Sequence, residues 1–168
     1  MFSASVVVSV VLGLVNPDAG PPRKHPRAHF GRVEAGAGGL LGQADGFAGG
    51  GAVAYEFRAV PWFGAGPKYS LFVGSRGFVG HLIGPEFRAY PFPFFRRGDW
   101  QINAAPGLAL GAFGPTPYVR AGTGFEFRVR DFIRLGPALE FANLFTSGGG
   151  TMAFGIGLSG LFGGPVSR

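Results

Sequence analysis

Bulky apolar residues alternate with small or polar ones along most of the chain, and this alternation predicts β-strands. Residues 124–132 read GFEFRVRDF, in which apolar side chains alternate with charged ones. Because successive side chains of a strand point to opposite faces, one face of such a segment is apolar and the other is polar. The pattern recurs in eight segments separated by turn-like residues: 30–41, 47–60, 68–74, 78–90, 100–113, 118–129, 133–144 and 152–162.

The segments also resemble one another. The sequences YEFRAVPWF, PEFRAYPF and FEFRVRDF stand at the ends of the second, fourth and sixth segments. Such a repeat predicts a series of similar hairpins in an up-and-down meander, and bacterial single-chain barrels have an even number of strands. Four segments contain a proline, at Pro67, Pro85, Pro106 and Pro137. Because proline donates no ladder hydrogen bond, we expect bulges or distorted registers at these four sites.

The acidic residues are sorted by position. All five glutamates lie within segments on the face of small residues, whereas the four aspartates lie in predicted turns or in the first 20 residues. Four of the glutamates have an arginine two residues away, on the same face. We therefore predict an interior charge network of Arg32, Glu34, Glu56, Arg58, Glu86, Arg88, Glu126, Arg128, Arg134 and Glu140.

This distribution is the inverse of a soluble barrel, in which bulky apolar residues fill the interior. It is typical of a transmembrane barrel, which is apolar outside and polar inside, and whose eight strands leave room only for side chains. The sequence thus predicts an all-β fold, an eight-stranded antiparallel up-and-down transmembrane β-barrel. A secreted soluble β-barrel that binds an apolar ligand remains an alternative, because charges outside and phenylalanines inside would also alternate.

Aromatic residues gather in the connections after the second, fourth and sixth segments. With the amino terminus on the periplasmic side, these connections would lie at one membrane interface, where aromatic rings settle at headgroup depth. The predicted aromatic belt consists of Trp62, Phe63, Phe92, Phe94, Phe95, Trp100 and Phe132. The opposite connections are brief and leave little room for a function carried by loops.

Composition narrows the classes of protein further. The 168 residues include 32 Gly, 19 Phe and no Cys, with 14% charged against 46% hydrophobic residues. This composition excludes a disordered chain, a disulfide scaffold and thiolate metal sites. The net charge of +6 is spread along the chain, so we expect no nucleic-acid partner.

The amino-terminal residues predict export. An apolar run at residues 6–15 has the length of a signal-peptide core and is short for a spanning helix, although an anchor helix is the alternative. We assign residues 1–20 to a signal peptide, 21–28 to a basic proline-rich linker, 29–162 to the barrel and 163–168 to a carboxy-terminal tail.

Taken together, the leader, the eight segments and the final segment AFGIGLSGLF resemble the small outer-membrane β-barrel proteins of Gram-negative bacteria, the OmpA-like, OmpX-like and OmpW-like group. In that group the last strand ends in an aromatic residue read by the assembly machinery, and Phe162 is similar to it, although six residues follow. The resemblance implies a monomer in the cell outer membrane, with membrane lipid and the barrel-assembly machinery as partners. It also implies a broad set of activities: structural barrels, narrow channels, adhesins and lipid-modifying enzymes.

A lipid-modifying barrel would need a serine nucleophile close to a histidine and an acid. His81 has Ser70 and Ser75 in the neighbouring segment, but its parity points it to the lipid face. The sequence offers no metal-ligand spacing, and we predict no catalytic residues and no cofactor. We expect a non-enzymatic barrel that is a structural envelope component or a very narrow, porin-like pore with a charge-plugged lumen. A lipid-modifying barrel enzyme is the alternative.

Overall fold

Eight antiparallel strands make up the fold. The computed structural model describes residues 28–42, 46–75, 79–91, 98–111, 114–130, 133–146 and 149–165. The strands are β1 Ala28–Gly42, β2 Gly46–Val60, β3 Phe63–Gly74, β4 Val79–Ala89, β5 Gly98–Gly111, β6 Thr116–Arg130, β7 Ile133–Thr146 and β8 Gly149–Pro165. A strand needs about 9–11 residues to cross a bilayer. Each of these eight strands is at least that long. The signal peptide assigned to residues 1–20 lies outside the described residues.

The sheet closes on itself. Each strand pairs with its neighbour in sequence, and β1 pairs with β8 from Ala28 opposite Pro165 to Gly42 opposite Thr151. The all-β, eight-stranded, up-and-down barrel predicted from the alternation is therefore confirmed. We call the end where β1 begins and β8 ends the proximal end, and the opposite end the distal end. No helix in the described ranges is long and apolar enough to cross a membrane.

Two strands, β3 and β8, extend furthest beyond their predicted segments. β3 begins at Phe63, so the connection after β2 is a turn at Pro61 and Trp62 and not the longer loop expected from the sequence. β8 continues past Phe162 to Pro165, so the first residues assigned to a tail pair with β1.

Each of the four in-strand prolines lies at a gap in one ladder, so the pairing is locally disturbed as expected, but the register is the same on both sides of each gap, and the expectation of distorted registers is wrong. All four side chains face outward. The pairing omits residues 55–56 opposite 66–67 between β2 and β3, residues 84–86 opposite 105–107 between β4 and β5, and residues 125–126 opposite 136–137 between β6 and β7, and it resumes in the same register each time. Each proline removes one N–H from one ladder, and the neighbouring pairs hold the alignment. Register shifts lie instead between Phe57 and Val60 and between Arg128 and Arg130, near the proximal end.

The outer face of the barrel is apolar. Leucine, isoleucine, valine and phenylalanine side chains alternate outward along every strand, and Leu158 is 69% exposed while Glu126 is 0% exposed. Large apolar side chains in solvent would be unfavourable over so wide an area. The surface is therefore that of a barrel surrounded by lipid, and the alternative of a secreted soluble barrel is wrong.

Candidate functional site

A layer of charged side chains crosses the lumen in the proximal and central parts of the barrel. Its members are linked by ion pairs, and they balance in charge. The six basic members are Arg32, Arg58, Lys68, Arg88, Arg120 and Arg134. The six acidic members are Glu34, Glu56, Glu86, Asp99, Glu126 and Glu140. We refer to these twelve residues as the charge layer.

Arg32 on β1 holds the centre of the charge layer. Its Nη1 donates to Glu126 on β6 and, over 2.6 Å, to the Ser159 hydroxyl on β8. Its Nη2 donates to Glu56 at 3.0 Å and to the Tyr90 hydroxyl at 3.1 Å. The Arg32 side chain is fully buried, and its partners belong to four other strands or strand ends. One guanidinium thus connects opposite walls of the barrel, because its N–H donors point in several directions.

A second group of ion pairs lies around Lys68 on β3. Its ammonium donates to Glu34, to Glu86 at 2.9 Å and to Glu140 at 3.4 Å. Arg88 on β4 shares two of these acids, with Nη2 at 2.5 Å from Glu34 and 2.8 Å from Glu86. Each of these carboxylates therefore lies between two cations, which offsets part of the cost of removing it from water.

The proximal side of the charge layer is formed by Arg58, Asp99 and Arg134. The Arg58 Nε lies 2.5 Å from Glu56, and its guanidinium carbon lies 3.6 Å from the centre of the Tyr90 ring. Arg134 is paired with Asp99. The sequence placed Asp99 in a turn, and this is wrong: β5 begins at Gly98, so Asp99 lies inside the barrel and is buried.

The structure brings together every residue of the predicted interior network except Arg128. Arg128 is exposed, and among the described residues it makes no ion pair. The reason is the stagger of the strands: β5 pairs with β6 only as far as Gly98 opposite Phe127. Beyond that point β6 is paired with β7 alone, and a register shift follows Arg128. The side chain thus lies past the end of the lumen, and its inclusion in the network was wrong.

A glutamate was expected to pair with the arginine two residues away in each of four strands. This pairing forms in two of them. Arg58 pairs with Glu56 in β2, and Arg88 pairs with Glu86 in β4. In β1 and β6 the pairs are made across the lumen, since Arg32 reaches Glu126 and not Glu34. Alternation identifies which side chains point inward, whereas the partners depend on how the strands are staggered around the barrel.

Sequence reasoning missed two cations of the charge layer, Lys68 and Arg120. Both point inward and are buried, and the parity of their own segments could have identified them. Lys68 precedes the outward Tyr69, and Arg120 lies six residues before Glu126 on the same face. Neither residue lies in a Glu-Phe-Arg repeat, and neither has a glutamate two residues away.

Apolar side chains close the lumen at the proximal end and line its distal part. Ala28, Phe30 and Leu161 form the proximal cluster. Leu82, Ala109, Tyr118 and Leu144 form the distal cluster, with Phe72 packed against it. The charge layer thus lies between two apolar regions, and most of its side chains are buried.

Part of the predicted aromatic belt lies within the described residues. Trp62 and Trp100 are both exposed at the proximal end, and the rings of Trp62 and Phe63 are 6.0 Å apart. The Trp100 indole N–H donates to the Thr123 hydroxyl at 2.7 Å. Phe92, Phe94, Phe95 and Phe132 lie outside the described residues.

No arrangement for nucleophilic catalysis is found around His81. Its Nδ1 lies 2.7 Å from the Tyr69 hydroxyl on the outer face, as its parity predicted. Ser70 points into the lumen, where Arg120 donates to its hydroxyl. The two side chains are therefore on opposite sides of the sheet. The described residues also contain no group of histidines and acids that could hold a metal ion.

The comparisons with known proteins agree with this architecture. The chain matches no family model, and no curated protein matches its sequence. Its structure is similar to that of Neisserial surface protein A, NspA, with 10% identity and a TM-score of 0.69 over 82% of this chain and 99% of NspA. It is also similar to a de novo designed transmembrane β-barrel, with 13% identity and a TM-score of 0.49 over 84% and 99% of the two chains. Ail, the attachment invasion locus protein of Yersinia pestis, gives 9% identity and a TM-score of 0.44 over 82% and 99%.

The likeness to NspA is one of fold, and it confirms the resemblance to the small outer-membrane barrels. A closed barrel with an apolar outer face satisfies all its backbone groups within the sheet, as a protein in a bilayer must. This fold and this surface together are those of a transmembrane β-barrel, with the fold of the small outer-membrane proteins.

Proposed function

We propose that this protein is a non-enzymatic, monomeric component of the outer membrane whose lumen is closed by the charge layer and conducts no ions. The observation that carries the proposal is the balance of six cations and six acids across the lumen, most of them buried. Membrane lipid and the barrel-assembly machinery are then its expected partners, and neither nucleic acid nor a cofactor has a role.

The geometry of the charge layer supports a closed lumen. An eight-stranded barrel encloses only enough space for its own side chains. Arg32 and Glu126 join β1 to β6, and Arg88 and Glu34 join β4 to β1, so the pairs span the lumen in different directions. An ion entering from either end would have to separate several buried pairs, each of which is costly to break.

Conductance in planar bilayers tests the proposal. We expect no discrete current steps from the refolded wild-type protein at either polarity. The variant E34A/K68A/E86A/R88A removes two acids and two bases, so it keeps the lumen neutral while shortening four side chains. This variant should show discrete steps. Heat-modifiable migration on a denaturing gel checks that both proteins are folded, and steps of similar size from the wild type would contradict a closed lumen.

A separate measurement addresses the absence of catalysis. The opposite orientations of His81 and Ser70 support a non-enzymatic protein. Lipid A from cells that express the protein should have the same mass spectrum as lipid A from cells that lack it. A change of acylation that disappears in His81→Ala would favour a lipid-modifying enzyme instead.

A further inference from the structure

The distal half of the lumen contains a cavity of about 160 Å³. Glycines and alanines of β1, β2 and β8 point inward here and leave space that longer side chains fill elsewhere. Leu40, Phe72, Leu82 and Leu144 supply apolar walls, and Arg120 and Glu140 lie on the side of the charge layer. An apolar cavity of about 150 Å³ is large enough for a benzene ring.

Two buried polar side chains that line this cavity, Arg120 and Thr151, have atoms without a hydrogen-bond partner. Arg120 is 5% exposed, and its Nη1 donates to Ser70 at 3.1 Å and to Glu140 at 3.4 Å. Its Nε and Nη2 make no hydrogen bond, although Nη2 lies 3.8 Å from the Glu86 carboxylate. The hydroxyl of Thr151, which is 2% exposed, also has no partner. A buried donor without an acceptor is unfavourable, so these groups favour a ligand that supplies one.

Glu140 adds an acceptor on the same side of the cavity. Its side chain is 29% exposed, more than any other acid of the charge layer, and both of its ion pairs are 3.4 Å long. A group with both a carbonyl oxygen and an N–H could therefore accept from Arg120 or Thr151 and donate to Glu140. A primary amide has this combination.

The charge balance argues against an ionic ligand. The six cations and six acids of the charge layer already offset one another, and a further charge would enter a poorly solvated lumen without a counterion. We propose that the cavity binds a small neutral molecule in which a primary amide is attached to an apolar group of about the size of a benzene ring. The ligand enters from the distal end, since the charge layer blocks the proximal side.

Benzamide, toluene and benzoate are suitable probes, because they share a ring and differ in the polar group. Binding is followed by methyl NMR of the protein in lipid nanodiscs, using Leu82 and Leu144, which face the cavity. The outward Leu108 and Leu135, which do not line the cavity, report partition of the probe into lipid. Benzamide should shift the inward methyl resonances with saturation. Toluene should bind roughly tenfold more weakly, since it lacks hydrogen bonds to charged partners, and benzoate should bind more weakly than benzamide.

Paired variants separate the cavity from other effects. Ala142→Leu fills the cavity and should abolish the saturable shifts, whereas Ala121→Leu adds the same side chain on the outer face and should preserve them. Thr151→Val and the charge-neutral pair R120Q/E140Q should each weaken benzamide binding with less effect on toluene. Gel mobility before and after heating establishes that each variant is folded.

Three outcomes would overturn the proposal. Benzamide that moves only the outward methyl resonances would mean that the cavity holds water alone. Equal affinities for benzamide and toluene would remove the role of Arg120 and Thr151. Tighter binding of benzoate would show that the site takes an anion. None of these results depends on whether the wild-type barrel conducts ions.

Discussion

Charged side chains in this barrel form ion pairs with residues that are far away in sequence. Arg32 and Glu126 are separated by 94 positions, yet they form one fully buried ion pair. Such a pair need not stabilise the fold more than apolar residues would, but removal of one member leaves the other charged and buried. Substitutions in the charge layer are therefore expected to be more harmful than substitutions of exposed charges.

Glu126→Gln tests this expectation. The variant leaves Arg32 with Glu56 as its remaining acidic partner, and the lumen gains one uncompensated positive charge. We expect a loss of about 3 kcal/mol in the free energy of unfolding, measured by urea denaturation in lipid vesicles with tryptophan fluorescence. Arg128→Gln is the matched control, since Arg128 is exposed, and its effect should be within about 0.5 kcal/mol. Equal effects of the two variants would contradict the assignment of Arg128 outside the charge layer.

Small residues make room for the charged ones. Gly64 on β3 points inward, and a Cβ atom added there would lie 2.6 Å from Oε1 and 2.8 Å from Cγ of Glu56. Glu56 has little freedom to move, because Arg32, Arg58 and Tyr90 all hold its carboxylate.

Gly64→Ala should therefore destabilise the barrel by about 1 to 3 kcal/mol, the usual cost of overpacking. Gly31→Ala is the control, because a Cβ at Gly31 meets nothing within 4 Å and faces outward. The same urea titration compares the two, with little or no loss for Gly31→Ala. A neutral Gly64→Ala would indicate that the Glu56 carboxylate can rearrange.

The positions of the eight strands could be predicted from the sequence alone, but their stagger could not. Alternation located all eight strands and separated inward from outward side chains, because the pleat imposes a period of two on any strand. It could not supply the stagger between neighbouring strands, which depends on where each ladder begins and ends. For this reason Arg128 was assigned to the lumen although it lies past its end, and Asp99 was assigned to a turn although it lies inside the barrel.

The prolines illustrate the same limit. Pro67 and Pro85 face each other across β3 and β4 in an unbroken register. A single sequence gives the missing N–H, which predicts the gaps in the neighbouring ladders, but it does not give the flanking pairs that keep the register unchanged across each gap. The shifts that do occur, next to Val60 and Arg130, lie close to turns, where fewer pairs on one side resist them.

At the scale of the whole molecule, the position of the barrel in the bilayer depends on its aromatic side chains. Trp62 and Trp100 are the chain's two tryptophans, and both lie exposed near the proximal end. Tryptophan prefers the membrane interface because its ring is apolar while its N–H is polar. Trp100 satisfies this N–H through Thr123, which in turn donates to the Gln101 carbonyl at 2.9 Å.

Depth measurements test this placement. In the single-tryptophan variants Trp62→Phe and Trp100→Phe, the remaining indole should be quenched best by lipids brominated near the headgroup. The depth of the remaining indole should be the same in the two variants to within about a few ångströms, as expected of residues at one interface. Quenching of either indole by bromines near the bilayer centre would mean that the two residues do not belong to a common belt.

The contact between the first and last strands has a consequence for biogenesis. Arg32 on β1 donates to Ser159 on β8, a residue 127 positions away, and the whole of β1 pairs with β8. One edge of β1 therefore stays unpaired until β8 has been synthesised and transported. Unpaired strand edges pair readily with other chains. The apolar faces and the glycine-rich edge of β1 would be at risk of aggregation throughout that interval. We therefore expect the unfolded chain to need protection from aggregation until β8 pairs with β1, although the same strand order leaves the finished barrel without an edge.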